Sequence, residues 1–324
     1  MNAMAETVDR RCGFQCAATI AAATIACVLA PAADGSATLA VALAPAAQAA
    51  PPAKTIAARG PSGFWTAERM ASARPVELAQ RSGEAGLSLG RRSHTVPYLS
   101  GPVPDPSVPP LPSNGKLFGK IAGLGRYSCS ATVVDTAGDS TIFTAGHCAY
   151  DPFIGRFASK LLFVPGYGQG TEPLGRFAGR VVKTTREWRR DVNSNFDYAA
   201  IALRKRDDGA TVEAVAGAVP MLANGPRQGN YAAYGYPGNR GTGQLMWSCG
   251  SGYAGDDPRP IPRGPKPIGI GCDMKAGASG GGWLNAAGQL VSLTSFGYRE
   301  HPELLYGPYL TNKATKLVAR IGSQ

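Results

Sequence analysis

Histidine is scarce in this 324-residue chain, which has only His94, His147 and His301. Chemistry that needs an imidazole therefore has few places to find one. No two of the seven cysteines stand at Cys-x-x-Cys spacing, so zinc is not expected and no metal site is assigned, while a structural calcium at scattered residues such as Asp207 and Asp208 stays open. Pro31 and the Asp34-Gly35 break cut the longest apolar stretch below the roughly 20 residues that a membrane-spanning helix needs. Acidic residues are the minority, 22 against 33 lysines and arginines, for a formal net charge of +11. Apart from Arg186, Arg189 and Arg190 the basic residues are scattered. The excess charge is read as solubility or weak adhesion to an anionic envelope, and nucleic acid binding is not expected.

The first 115 residues differ from the rest. Arg10 and Arg11 precede an apolar stretch over residues 17–30, and a small-residue run ends at Ala47-Gln48-Ala49. That order reads as a secretory signal peptide over residues 1–49; the competing reading is an N-terminal membrane anchor. Residues 50–115 are rich in Pro, Ser and Gly, including Val108-Pro109-Pro110-Leu111-Pro112, and cannot build a core of their own. They are expected to form a propeptide and linker, with one short helix within residues 66–80, interrupted by Pro75. Export suits the cysteines. Cys12, Cys16 and Cys27 lie in the leader, and Cys129, Cys148, Cys249 and Cys272 are left to form two disulfides. Spacing suggests Cys129 with Cys148 and Cys249 with Cys272, although four cysteines allow three pairings.

From residue 116 to 324 short runs such as Thr141-Ile142-Phe143 and Leu161-Leu162-Phe163-Val164 alternate with Gly, Pro, Asn and Asp. This texture predicts an all-β sandwich or barrel, long enough for two small barrels. Only residues 312–321 read as a helix.

Three motifs carry chemistry. Thr144-Ala145-Gly146-His147-Cys148 follows an apolar strand and offers His147 as a general base, because His94 lies in the expected propeptide and His301 in a Glu/Pro-containing loop. Asn195-Phe196-Asp197-Tyr198 opens the apolar run Ala199-Ala200-Ile201-Ala202-Leu203, so Asp197 suits an orienting carboxylate. Asp191 is its nearest competitor and lacks that strand. Gly277-Ala278-Ser279-Gly280-Gly281-Gly282-Trp283 places a serine in a tight glycine turn, where the amides of Gly277 and Ser279 can point at a developing oxyanion. Hydroxyl nucleophile, imidazole base and carboxylate are the parts of a serine hydrolase.

In this order, His147, Asp197 and Ser279, the motifs resemble those of the chymotrypsin-like serine peptidases. Phe163-Val164-Pro165-Gly166-Tyr167, Gly235-Tyr236-Pro237-Gly238 and Cys272-Asp273-Met274 are similar to the secreted bacterial glutamyl endopeptidase branch. Phe64-Trp65-Thr66-Ala67-Glu68-Arg69-Met70 resembles that branch's propeptides. The resemblance implies a chymotrypsin-like double β-barrel with a short C-terminal helix behind a poorly structured propeptide, and a monomeric endopeptidase that needs no cofactor. Ser295, Phe296 and Gly297 would be the edge strand that pairs with substrate backbone. Asp273, Thr294, Gly297 and Gly307 would line the primary specificity pocket. Asp273 stands six residues before Ser279, where a trypsin keeps its pocket aspartate, which would favour Arg or Lys. Two positions depart from the patterns: Ala278 replaces the aspartate that trypsins carry before the nucleophile, and Thr294 stands where glutamyl endopeptidases carry a pocket histidine. Activation by an N-terminal salt bridge is therefore not expected, and the preferred residue before the cut stays open.

Arg91-Arg92, Lys116 and Lys120 are candidate maturation sites. Polypeptides are the expected substrates, with no membrane association after signal removal. The alternative is a catalytically silent, protease-like secreted binding or adhesion protein. An α/β-hydrolase esterase is excluded by motif order and by the lack of helices.

Overall fold

A computed structural model describes residues 61–80, 96–109, 111–259 and 263–323. The expected signal peptide, His94 and the Arg91-Arg92 pair lie outside the described residues.

Segments read as unable to build a core borrow one. After a 3-10 turn at Pro61–Phe64, helix α1 (Ala67–Ala71) is capped by the Thr66 hydroxyl, which accepts from Arg69 N–H. Trp65 and Met70 are buried, and they cluster with Val103, Phe118, Leu162, Val164 and Tyr167. Each such side chain contributes ~1.5–3 kcal/mol through burial, so the docking is substantial. Beyond α1 the expected helix gives way to two short strands, β1 (Arg74–Pro75) and β2 (Leu78–Gln80). Pro75 has no amide hydrogen to continue a helix, and neighbouring strands offer partners instead. Strand β3 (Tyr98–Pro102) follows.

The first barrel is built from β4 (Asn114–Ile121), β5 (Gly125–Val134) and β6 (Thr141–Thr144), then β9 (Ser159–Pro165), β10 (Phe177–Thr184) and β11 (Ala199–Leu203). A small ribbon, β7 (Tyr150–Asp151) with β8 (Arg156–Phe157), interrupts it. The order β5-β4-β9-β10-β11-β6 closes through the β5–β6 pairing into a six-stranded barrel. Leu117, Val133, Ile142, Phe143, Phe163 and Ile201 fill it.

The second sheet takes β12 (Asn230–Gly235), β13 (Trp247–Asp256), β14 (Ile268–Gly271), β15 (Gly282–Leu284), β16 (Leu290–Leu293), β17 (Phe296–Tyr298) and β18 (His301–Gly307). Its path runs β16-β15-β12-β13-β14-β18-β17 and ends on β2, while β3 pairs with β13. Only Thr294 and Ser295 separate β16 from β17, so the sheet curls back on itself as a half-barrel. The whole is the double-barrel, chymotrypsin-like fold.

Helix α4 (Asn312–Gly322) agrees with the expected C-terminal helix. The Thr311 hydroxyl caps it, and Ala314, Val318 and Ile321 turn inward at helical spacing onto the first barrel's core. Two one-turn helices, α2 (Arg186–Asp191) and α3 (Val212–Ala216), were not foreseen. Each starts at a threonine cap and is too short to leave a periodic signature. Strand β4 begins at Asn114, and Lys116 lies buried within it between β5 and β9. A maturation cut at Lys116 or Lys120 would break this strand.

Candidate active site

His147 sits in a 3-10 turn, Gly146–Cys148, that continues β6. Cys148 bonds to Cys129 on β5, and Tyr127 Oη donates to the Cys148 carbonyl, so the turn is fastened to the first barrel. Asp197 closes another 3-10 turn, Ser194–Phe196, just ahead of β11. That turn is shaped by the Asn193 side chain, which accepts from Asn195 N–H.

The two side chains meet in a buried space. His147 Nδ1 lies 2.8 Å from Asp197 Oδ2, and His147 N–H donates to Asp197 Oδ1 at 2.8 Å. Asp197 is wholly buried. Gly146 makes this approach possible, because a Cβ there would stand 2.8 Å from Asp197 Oδ1 and 2.9 Å from the Trp188 ring. Trp188, on α2, stands edge-on to the imidazole at 6.2 Å and donates Nε1–H to the Tyr150 carbonyl. The sequence assigns Trp188 no role.

Ser279 lies on the loop between β14 and β15, and the first barrel holds this loop closely. Ser130 N–H donates to the Ser279 carbonyl at 2.8 Å, and Ser130 Oγ donates to the Gly277 carbonyl at 2.8 Å. Gly277 and Gly280 have φ of +95° and +83°, conformations that favour glycine. A Cβ on Gly281 would stand 1.8 Å from the Tyr234 carbonyl oxygen. The glycine signal thus records both backbone conformation and close packing. Gly277 N–H donates at 2.8 Å to a carbonyl oxygen, that of Val76. Ser279 Oγ donates to the same oxygen at 3.2 Å, and His147 Nε2 has no partner among the described residues.

The remaining expected positions spread around this centre. Ser295 Oγ donates to Asp197 Oδ2, a contact with the carboxylate that sequence reasoning had not assigned to it. Phe296 and Gly297 are on β17, where Phe296 stacks on Tyr306 and Gly297 pairs with Ala79. Thr294 Oγ1 accepts from Trp283 Nε1–H. A Cβ on Gly307 would stand 2.1 Å from the Leu293 carbonyl oxygen, so close packing fixes this glycine. Asp273 pairs with Arg240 through Oδ2, and its Oδ1 is buried without a partner among the described residues. Lys275 Nζ donates to the Pro302 carbonyl, and burial lowers its pKa from the ordinary lysine value.

Both cysteine pairs are disulfides, Cys129–Cys148 and Cys249–Cys272. The two described clusters of potential metal-binding groups, Cys129/His147/Cys148 and Cys249/Cys272/Asp273, rest on these bonded sulfurs, which have no thiolate to offer.

No family model matches the chain. Among solved structures, a thermostable serine protease from an extremophilic microorganism is 35% identical with a TM-score of 0.60. The similarity covers 66% of this chain and 98% of that one. The chain belongs to the chymotrypsin-like serine endopeptidases. The protease Anisep of Arthrobacter nicotinovorans, another structure similar to this chymotrypsin-like chain, is 26% identical with a TM-score of 0.61, covering 70% of this chain and all of that one. A glutamyl endopeptidase structure, 20% identical over 69% of this chain and 97% of its own with a TM-score of 0.57, shares the fold. A stretch of 81 residues is 38% identical to the glutamyl endopeptidase of Bacillus licheniformis, 24% of this chain and 23% of that protein. The match thus spans about a quarter of that curated relative's length.

Proposed function

We propose that the chain is an exported serine endopeptidase in which Ser279 is the nucleophile, His147 the general base and Asp197 the residue that orients it. The observation that carries this reading is the buried pair of His147 Nδ1 and Asp197 Oδ2 at 2.8 Å, in a barrel whose Ser130 also holds the glycine turn of Ser279. With Nδ1 engaged by the carboxylate, Nε2 is the nitrogen free to accept a proton.

Ser279 Oγ adds to the substrate carbonyl carbon as its proton passes to His147 Nε2. The amides of Gly277 and Ser279 take the oxyanion, and Gly277 N–H already binds a carbonyl oxygen. Collapse breaks the C–N bond while His147 returns the proton to the leaving amine. Water, deprotonated by the same imidazole, then hydrolyses the acyl-serine and restores Ser279. Phe296 and Gly297 supply the edge for substrate backbone, and the neighbouring pocket selects the residue before the cut. Since Arg240 neutralises Asp273, selection of Arg or Lys by that carboxylate is not favoured. Two disulfides and the signal-like leader support export to an oxidising compartment, where the chain acts as a monomer after losing its leader.

The test is hydrolysis of a mixed peptide library by the matured enzyme beside its Ser279→Ala form, with products read by mass spectrometry. Cutting by the wild type alone is expected. Equal cutting by both forms would remove Ser279 from the mechanism, and no cutting by either would favour the binding-protein alternative.

A further inference from the structure

Residues 74–80 cross the cleft as an extended strand, from the first barrel to the second sheet. Arg74 and Pro75 pair with Tyr127 and Ser128 of β5, and Val76 N–H donates to the Ser128 carbonyl at 3.0 Å. At the centre the Val76 carbonyl takes hydrogen bonds from Gly277 N–H at 2.8 Å and Ser279 Oγ at 3.2 Å. On the far side Leu78, Ala79 and Gln80 pair with Phe296, Gly297 and Tyr298 of β17, and Leu78 packs on the cluster of Phe296, Tyr298, Leu304 and Tyr306. A peptide carbonyl therefore sits on one of the two proposed oxyanion donors, the Gly277 amide, and its chain covers the edge on which substrate backbone is to pair.

The direction of this strand decides its effect. His147 has to protonate the leaving amine, and its turn is fastened to β5 through Cys129–Cys148 and Tyr127. The leaving half of a substrate thus belongs on the β5 side and the acyl half on the β17 side. Leu78–Gln80 leave the serine parallel to β17, so an acyl half approaching the serine along that edge is antiparallel to it. Residues 74–80 run in the opposite sense to such a substrate. With the Val76 oxygen held at Gly277, reversal exchanges the other two substituents of the carbonyl carbon. Val76 Cα faces the β5 side, and the Glu77 nitrogen faces β17, away from His147. Addition of Ser279 Oγ would give a tetrahedral adduct whose nitrogen has no acid to protonate it, so the adduct returns to the intact peptide.

An anchor holds the strand from upstream. Trp65 is buried against Phe118 with ring centroids 5.4 Å apart. It donates Nε1–H to the Lys160 carbonyl at 2.6 Å, and its own carbonyl accepts from Arg176 Nη1 at 2.9 Å. Downstream, Tyr98–Pro102 lie along β13, so a cut that frees residues 61–80 yet spares β3 falls after Gln80 and before Tyr98.

Resting on the catalytic reading above, we propose that residues 61–80 are a built-in inhibitor that fills the catalytic cleft as a reverse-polarity strand, bound like a substrate and not cleaved. This is a regulatory role for the leader that needs no N-terminal salt bridge, in keeping with Ala278 beside the nucleophile.

The test compares fluorophosphonate labelling of the intact full chain with that of full-chain Trp65→Ala and Leu78→Asp, two positions outside the catalytic machinery, with Ser279→Ala as the blank. Both variants are expected to label at least tenfold faster than the intact chain. A synthetic peptide of residues 61–80 should slow them again and be recovered whole. Equal labelling of all three serine-containing chains, unaffected by the peptide, overturns the inhibitor. A product ending at Val76 overturns the reversed polarity. If no chain labels, the catalytic reading fails. The inhibitor, which rests on that reading, then falls with it, whereas equal labelling removes the inhibitor alone.

Discussion

Ser295 Oγ donates to Asp197 Oδ2, the carboxylate oxygen that also receives His147 Nδ1. A buried carboxylate needs several donors to be satisfied and held in place, and here it has the His147 backbone amide, the imidazole and this hydroxyl. Removing a hydrogen bond to a charged group costs about 1.5–3 kcal/mol. Ser295→Ala is therefore expected to lower kcat by about ten- to a hundredfold, with KM little changed. Asp197→Asn leaves an amide that favours the wrong imidazole tautomer, and kcat should fall about 10⁴-fold. Steady-state kinetics on one peptide substrate checks both. A Ser295→Ala effect as large as that of Asp197→Asn would mean that the hydroxyl does more than hold the carboxylate.

Arg240 and Asp273 supply the second prediction. Asp273 reads from sequence as a pocket anion for Arg or Lys, but Arg240, in the β12–β13 connection, pairs with it. Arg240→Ala should free that carboxylate and raise the kcat/KM of substrates with Arg or Lys before the cut, relative to neutral ones, by about tenfold. Asp273→Ala in the same background should abolish the gain. Profiling all three enzymes on one peptide library decides it, and an unchanged profile in Arg240→Ala would place Asp273 outside the pocket.

The candidate site proposed above was legible because each part has a local cause. His147 follows an apolar strand beside a cysteine, Asp197 opens one, and Ser279 needs glycines at positive φ around it. The two-barrel texture was legible for the same reason, as short apolar runs punctuated by turn residues. What escaped depends on partners distant in sequence. Ser295 reads only as part of the substrate edge until the fold brings it to Asp197, 98 residues away. Val76 belongs to a segment whose composition says only that it has no core of its own, and its meaning lies in Gly277, Ser279 and Ser128. Arg240 pairs with Asp273 from 33 residues upstream, which the offset from the serine could not reveal.

The two disulfides should separate stability from catalysis. They close loops of similar length, with cysteines 19 and 23 residues apart, so removing either should cost roughly 3 kcal/mol. Only Cys129–Cys148 fastens the His147 turn. The Cys129→Ala/Cys148→Ala form is expected to lose most of its kcat well below its unfolding temperature. The Cys249→Ala/Cys272→Ala form should keep its kcat to within a few-fold while unfolding at a similarly lowered temperature. Calorimetry alongside kinetics at 20–25 °C makes the comparison, and equal losses of kcat would show that the His147 turn needs no such fastening.

Lys116 gives a prediction in pH. Its side chain is buried in β4, with Nζ donating to the Gly243 carbonyl at 2.7 Å and lying 4.8–6.0 Å from the rings of Phe118, Tyr167 and Tyr236. Burial lowers its pKa from 10.5 to about 7. Between those values the unfolded chain holds a proton that the folded chain has released, so stability from this site rises with pH across that window. Below about pH 7 both states are protonated and the full cost of burying the ammonium is present. Lys116→Met keeps the volume and removes the titration. It also deprives Gly243 of a donor, a loss common to all pH values. The difference in Tm, variant minus wild type, should therefore be most favourable to the variant near pH 6 and shrink steadily towards pH 9.5. Calorimetry at half-unit pH steps measures it. A difference that stays flat would mean that the three aromatic rings and the Gly243 carbonyl keep the ammonium charged throughout, with desolvation outweighed by cation–π attraction.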